Sequence, residues 1–442
     1  MLYSKKGLIR LIIPLVIEQG LAIAIGMIDT IMVSSVGESA VSAISLVDTI
    51  NILLINIFAA LATGGAVVSA QYIGKQEDHN ARKAAKQLIY SVAIISILIG
   101  VIALVFRKPI ISLAFGKIDS SVMNNCITYL TVSAFSYPFI ALYNCGTALF
   151  RSMGNSKISM ESSLIMNIMN IIMNAIFIYA CHMDVFGAAL ATLIARAIGC
   201  IAVLYLLSNK DLIVHISNYL DIHLDLSMIK TILKIGIPNG LENGMFQIGK
   251  ILVASIVSSF GTIAIAANAV AQNLAGMEII PGAAIGLAMI TIVGQCAGAG
   301  DYKQAKYYIK LLMKICYIFM FIFDSCMLLF GKQLIGMYSL SGETMQVAYK
   351  LLTYHTIFAI IVWPAAFTLP NAFRAANDAK YTMIISVASM WMFRIVASII
   401  LAKIFNLGVY GVWFAMFLDW FFRAGNFIYH YCKGKWMNKQ LI

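Results

Sequence analysis

Along this chain the polar positions collect into short clusters, and between them run apolar stretches long enough, at ~1.5 Å per residue, to cross a hydrocarbon core of roughly 30 Å. The stretches fall at residues 7–34, 44–72, 87–106, 126–150, 158–181, 185–207, 231–257, 264–296, 308–331, 345–373, 381–403 and 409–431. They predict an all-α integral membrane protein with twelve transmembrane helices. Short strands of alternating polarity, the signature of a membrane β-barrel, are not the pattern. The connections are too short to fold as a soluble catalytic or nucleotide-binding domain, so whatever the chain does, it does within the bilayer.

The pattern is doubled. At an offset of 224 residues, Pro14, Glu18 and Gly20 match Pro238, Glu242 and Gly244, and Val33-Ser34-Ser35 with Gly37 match Val257-Ser258-Ser259 with Gly261. Gln71 and Gly74 match Gln295 and Gly298, and after a slip of one residue the segment Phe150 to Lys157 answers Phe373 to Lys380. A repeat of six crossings re-enters the membrane from its starting side, which makes the two copies parallel repeats about an axis along the membrane normal. The expected lobes are residues 1–207 and 231–442, joined by a cytoplasmic linker at 208–230 that carries Lys210, Asp211, Asp221 and Asp225. Rocking of one such lobe on the other would open a central cavity to each side in turn, so the doubling favours a transporter.

Composition adds two points. Of the 442 residues 61% are hydrophobic and 11% charged, far from the roughly one quarter charged of soluble domains. The net charge of +12 invites a nucleic-acid reading. With the amino terminus placed in the cytoplasm, however, about two thirds of the Lys and Arg fall on the inner side and few on the outer, as the positive-inside rule requires. Nucleic acid is therefore not an expected partner; the bilayer is, with both chain ends cytoplasmic. Lys5, Lys6 and Arg10 precede the first span with no cleavage site behind it, which reads as an uncleaved helix.

Chemistry outside transport finds little anchorage. The eight cysteines are scattered singly, without metal-ligand or disulfide spacing. The six histidines lie in loops or, for His355 and His430, near the expected span ends, and offer no relay spacing. None of the Gly-Lys pairs, at Lys75, Lys117, Lys250, Lys332 and Lys435, continues into the Ser or Thr of a phosphate loop, and no HExxH motif occurs. The chain is expected not to be an enzyme and to need no resident cofactor.

The segments Gly26-Met-Ile-Asp-Thr-Ile-Met-Val33, Gly37-Glu38 with Ala40-Val-Ser-Ala43, and Gly187-Ala-Ala-Leu-Ala-Thr192, together with the doubled loop at Arg151 and Arg374, resemble the MATE family of multidrug and toxic compound extrusion transporters. The resemblance covers essentially the whole chain. It implies a cation-coupled antiporter, driven by Na+ or H+, that exports amphipathic and often cationic compounds. The short loops and tails suit a bacterial inner membrane, and the monomer is the expected working unit. By the same resemblance Asp29 is the cation-linked carboxylate of a bent first helix, Asn170 and Asn174 are the paired side chains of the fifth span, Thr192 is a hydroxyl ligand on the sixth, and the Ala188 carbonyl joins them. Independently, Asn170 and Asn174 share a helical face, and one carboxylate with neutral oxygens suits sodium, whereas a proton needs the carboxylate alone.

The second lobe departs from the sodium-type bacterial members, which carry an acid on the tenth span; the corresponding position here is Trp363. Glu242 approximates their seventh-span glutamate but sits one helical turn nearer the cytoplasm. Glu242, Glu278 and Lys250 are candidates for a substrate cavity, with Lys250 and Glu278 expected to pair across the lobe. Asp419 and Arg423 are spaced to satisfy each other, and Glu18 repeats Glu242 as an architectural pair at the base of each lobe. The rival function is a flippase for a lipid-linked oligosaccharide precursor, whose cavity should carry a denser set of bases for pyrophosphate.

Overall fold

The computed structural model describes residues 3–116, 119–338 and 340–439. Lys117, one of the Gly-Lys lysines above, lies outside them, as do both chain ends. Among the described residues there is no strand, and twelve long helical rods follow one another. In chain order they are α1 (Lys5–Ser34), α2 (Glu38–Gly74), α3 (Asp78–Val105), α4 (Ser120–Ser152), α5 (Ser156–Ala180), α6 (Asp184–Leu207), α7 (Leu226–Ser258), α8 (Thr262–Glu278 and Ile280–Gly298), α9 (Tyr302–Gly336), α10 (Gly342–Ala375), α11 (Ala379–Ile404) and α12 (Gly408–Lys433). Ten segments are long and apolar enough to span a membrane. α7 and α12 are of similar length but carry more polar residues. α8 breaks at Ile279, where Pro281 supplies no amide hydrogen to the preceding turn.

The sequence repeat is visible in how the rods begin. Gly37 and Gly261, one offset apart, stand before α2 and α8 with φ of 122° and 88°, a backbone region that a side chain makes costly. Past the one-residue slip, Gly154 and Asn377 take left-handed φ of 79° and 71° at the same point of the doubled loop. Asn155 then accepts from the Ile158 amide to start α5.

Two compact units result, Lys5–Gly240 and residues 3–4 with the described residues from 241 to 439, so the division falls inside α7. In the first unit α2 lies against α3 and α4, α4 against α6, and α5 against both α1 and α6. α2 comes very close to the start of α7, since a Cβ on Gly64 would lie 2.7 Å from the Ile232 carbonyl oxygen. In the second unit the first part of α8 packs on α10, its second part on α9, and α12 on α10 and α11. Large apolar side chains such as Leu113, Tyr205 and Leu329 stay exposed, as expected of surfaces that meet lipid.

The expected linker is strapped to α3 in the first unit. The Tyr90 hydroxyl donates to the carbonyls of Tyr219 and Asp221, the Gln87 amide to that of His223, and Arg82 to that of Ile213. Lys86 pairs with Asp221 at 3.2 Å and Lys83 with Asp225. Asp225 also caps α7 by accepting from the Met228 amide.

The Lys86 hydrogen bond, and then its charge, holds the Asp221 carboxyl below its usual range, and the Lys83 bond and the Met228 amide do the same for Asp225. A carboxylate lowered on folding contributes stability that is present above the unfolded value near pH 3.9 and is lost as pH falls through the folded one. Amides of residues 212–225 should therefore be protected from hydrogen exchange near pH 6 and lose protection below about pH 4, after correction for intrinsic rates. Protection unchanged down to pH 3 would contradict the strap.

Candidate functional site

In the first unit, the side chains expected to hold a cation do meet. Asp29 on α1 accepts from the Asn174 amide at 2.8 Å, at the point where α5 widens from an α-helix into the π-helical turn Ala175–Ala180. Such π turns rotate neighbouring side chains out of the regular register and are common at functional sites. Asn170, one turn earlier, is also against the acid. With its amide nitrogen facing Asp29 it donates to Oδ1 at 2.7 Å and Oδ2 at 3.0 Å, while its oxygen accepts from the Thr192 hydroxyl at 3.3 Å. Thr192 lies against the Ala188 carbonyl at 3.1 Å.

The donor set fits a small hard cation. Turning the Asn170 amide over points its oxygen at the carboxylate, and Asn174 Oδ1 is buried with no hydrogen-bond partner among the described residues. Asp29, these two amide oxygens, the Thr192 hydroxyl and the Ala188 carbonyl would then supply oxygen ligands with one negative charge, matched to a monovalent ion. The same carboxylate suits a proton. The structure thus brings together all five residues expected here.

At this site one acid was missed in the sequence, as Asp324 was in the second unit. A cavity of about 170 Å³ is lined by Asp29, Asn174, Ala188, Thr192, Tyr129 and also Asp48 of α2. Asp48 accepts from Asn51 at 3.1 Å and from the Tyr129 hydroxyl at 3.2 Å, and Asn51 in turn accepts from Tyr137 at 2.8 Å. The signal available was an acid within an otherwise apolar span, the argument already applied to Asp29. Arg196, whose charge acts on both acids, donates to Ser136 at 2.7 Å.

The second unit corrects the expected substrate cavity. Glu242 is buried and bound to Arg374 at 2.7 Å, with Thr382 at 3.3 Å, so it faces an ion pair rather than open space. Glu18 repeats this in the first unit, with Arg151 at 3.5 Å and Ser159 at 2.9 Å. The doubled loop brings its arginine back onto the glutamate of the first helix in each copy, which is an architectural role. Glu278 is fully buried and bonded to His355 and Thr356, so it is neither cavity-lining nor the partner of Lys250. Lys250 is exposed, 6.0 Å from the centre of the Phe246 ring. His355 is not near a span end but well inside α10. Arg394 and Arg423 share Asp419, at 3.5 and 2.8 Å.

A family model, MatE, matches residues 14–176 and 238–400, the same 224-residue doubling and about three quarters of the chain. The chain belongs to the MatE family. Its similarity to relatives runs nearly end to end. It is 26% identical to the uncharacterized transporter YisQ of Bacillus subtilis over 93% of this chain and 90% of that one. It is 24% identical to a probable multidrug resistance protein NorM of Thermotoga maritima over 99% and 94%. Among solved structures it is similar to a MATE protein in complex with MaL6, with a TM-score of 0.90, 21% identity and coverage of 99% and 97%. An outward-facing multidrug resistance MATE family transporter gives 0.89 at the same identity and coverage. The match in fold establishes the twelve-helix MATE architecture, two six-helix repeats in one chain.

The Glu242–Arg374 pair carries a prediction. Arg374→Ala leaves a buried carboxylate without its countercharge and should cost about 3–5 kcal/mol, read as a fall in thermal unfolding temperature of the detergent-solubilised protein. Glu242→Leu combined with Arg374→Met should recover most of that loss. A single substitution as stable as the parent would contradict the pairing.

Proposed function

We propose that this chain is a cation-coupled exporter of amphipathic, often cationic small molecules. Coupling runs through Asp29, and Na+ or H+ is the driving ion. Membership of the MatE family and the multidrug resistance names of several relatives support the export reading. The single observation that carries the coupling reading is the convergence of Asp29, Asn170, Asn174 and Thr192 beside a polar cavity, with a buried amide oxygen left unpartnered. An intramembrane carboxylate is expensive unless it is paired or used, and no base among the described residues bonds to Asp29.

The cycle follows from that cost. Ion or proton binding at Asp29 neutralises the charge and allows its helix to move through an apolar environment; release restores it. Substrate and ion would share the access change of the two six-helix repeats, so that each drives the other in the opposite direction. The setting is a bacterial inner membrane, both chain ends are cytoplasmic, and the monomer is the working unit.

The flippase alternative asks for bases free to meet pyrophosphate. Arg196 is engaged with Ser136, and Arg394 and Arg423 with Asp419. Of Arg196, Lys250, Arg394 and Arg423, Lys250 alone is exposed, and a single lysine is a sparse site for two phosphates.

Asp29→Asn keeps the size and hydrogen-bonding capacity of the side chain while removing its charge. Efflux of a fluorescent cation from vesicles should fall to the leak rate in this variant, at equal expression and insertion. Gradient-driven efflux at the parent rate would reject Asp29 as the coupling carboxylate.

A further inference from the structure

The second unit contains a buried titratable cluster that the proposed cycle does not use. Glu278 ends the first part of α8 at the break before Pro281, Asp324 lies in α9, and His355 and Thr356 lie in α10. Glu278, Asp324 and Thr356 are fully buried and His355 is 4% exposed. His355 Nδ1 is hydrogen-bonded to Glu278 Oε2, and the Thr356 hydroxyl donates to Oε1. Asp324 interacts with Glu278 through its charge, and neither of its oxygens has a hydrogen-bond partner among the described residues.

α9 adds the Cys316 thiol, which lies 3.6 Å from the Thr368 hydroxyl. α12 turns Trp413 and Trp420 edge-on to the imidazole, with ring centres 5.7 and 5.1 Å away. Its charged residues are engaged elsewhere, Asp419 accepting from Ser389 and pairing with Arg423 and Arg394. No Lys or Arg is among these partners.

The cluster has no counterpart in the first copy, and unlike the second-copy set at Asp419 it holds no Lys or Arg among the described residues. The Glu–Arg pairs at Glu18 and Glu242 recur because both copies need them. At the repeat offset of 224, Glu278, Asp324 and His355 correspond to Leu54, Gly100 and Thr131, so the first copy has no acid or histidine at any of the three positions. Acids and a histidine placed in hydrocarbon without an architectural need point to proton chemistry.

We propose that Glu278, Asp324 and His355 form a proton-binding site in the second unit, separate from the Asp29 cluster. With the imidazole neutral and both carboxyls ionised the cluster carries two negative charges in a low-dielectric setting, and each proton bound removes one. A proton passes between Glu278 Oε2 and His355 Nδ1 along the existing hydrogen bond, and Asp324 is the second acceptor. The use of this proton in export rests on the transport reading; its binding does not.

The tryptophans report it, because an imidazolium against an indole ring quenches its fluorescence. In the purified full-length protein, acidification should produce a quenching step that is lost in His355→Gln and in the double variant Trp413→Phe, Trp420→Phe. Asp324→Asn, nearly isosteric, removes a negative charge that favours the imidazolium and should move the midpoint of the step to lower pH by about one unit. This shift serves also if His355→Gln fails to accumulate. A step that survives in His355→Gln, or a midpoint identical in the parent and Asp324→Asn, overturns the proposal. A protein that exports nothing but titrates as described keeps the site and loses the transport reading; one that exports without this step loses the site.

Discussion

The cost of charge in hydrocarbon is the constraint on which the rest of this structure depends. A carboxylate or guanidinium in the membrane interior must be neutralised by a partner, by a proton or by an ion, because no water is there to solvate it. Most of the charged residues in the spans meet this by pairing. Glu18 has Arg151, Glu242 has Arg374, and Asp419 has Arg394 and Arg423. Asp378, at the start of α11, has His430 and Lys439. These pairs tie helices together and leave little charge to move.

Two groups escape that rule, and they are where function is expected. Asp29 and Asp48 border a polar cavity with amides and hydroxyls around them but, among the described residues, no base bonded to either. Glu278 is bonded to His355 and lies within reach of the Asp324 charge, with no lysine or arginine bonded to any of the three among the described residues. The contrast separates architecture from chemistry within a single chain. What both copies of the repeat carry at matching positions is architecture. Acids that one copy carries alone and that no Lys or Arg pairs among the described residues are available for work.

Much of this was legible in the sequence. Hydropathy runs gave all twelve rods with ends displaced by up to nine residues, the largest at the start of α3, since a span must be long and apolar whatever it packs against. The doubling gave the paired glutamates and loop arginines. The Asp29, Asn170, Asn174 and Thr192 cluster was readable because Asn170 and Asn174 lie one turn apart and the resemblance named the rest. Asp48 escaped notice because its partners, Asn51, Tyr129 and Tyr137, come from two different helices, and only the packing of α2 on α4 brings them together. Glu278 was assigned to Lys250 because both are charges inside spans of one lobe, whereas rotation about each helix axis decides which side chains meet. His355 was set aside for the same reason: its contact with Glu278 depends on how α10 and the first part of α8 face each other.

The central claim is that ion movement through this chain is tied to substrate export by the neutralisation of Asp29. The most direct measurement is substrate efflux from proteoliposomes in which a sodium gradient and a proton gradient are imposed separately, with the counterflow of the ion recorded at the same time. The account predicts that one of the two gradients drives efflux against the substrate's own gradient, with ion entering in a fixed ratio to substrate leaving. Efflux that proceeds at the same rate with neither gradient present, or ion flux that is indifferent to substrate, would contradict it.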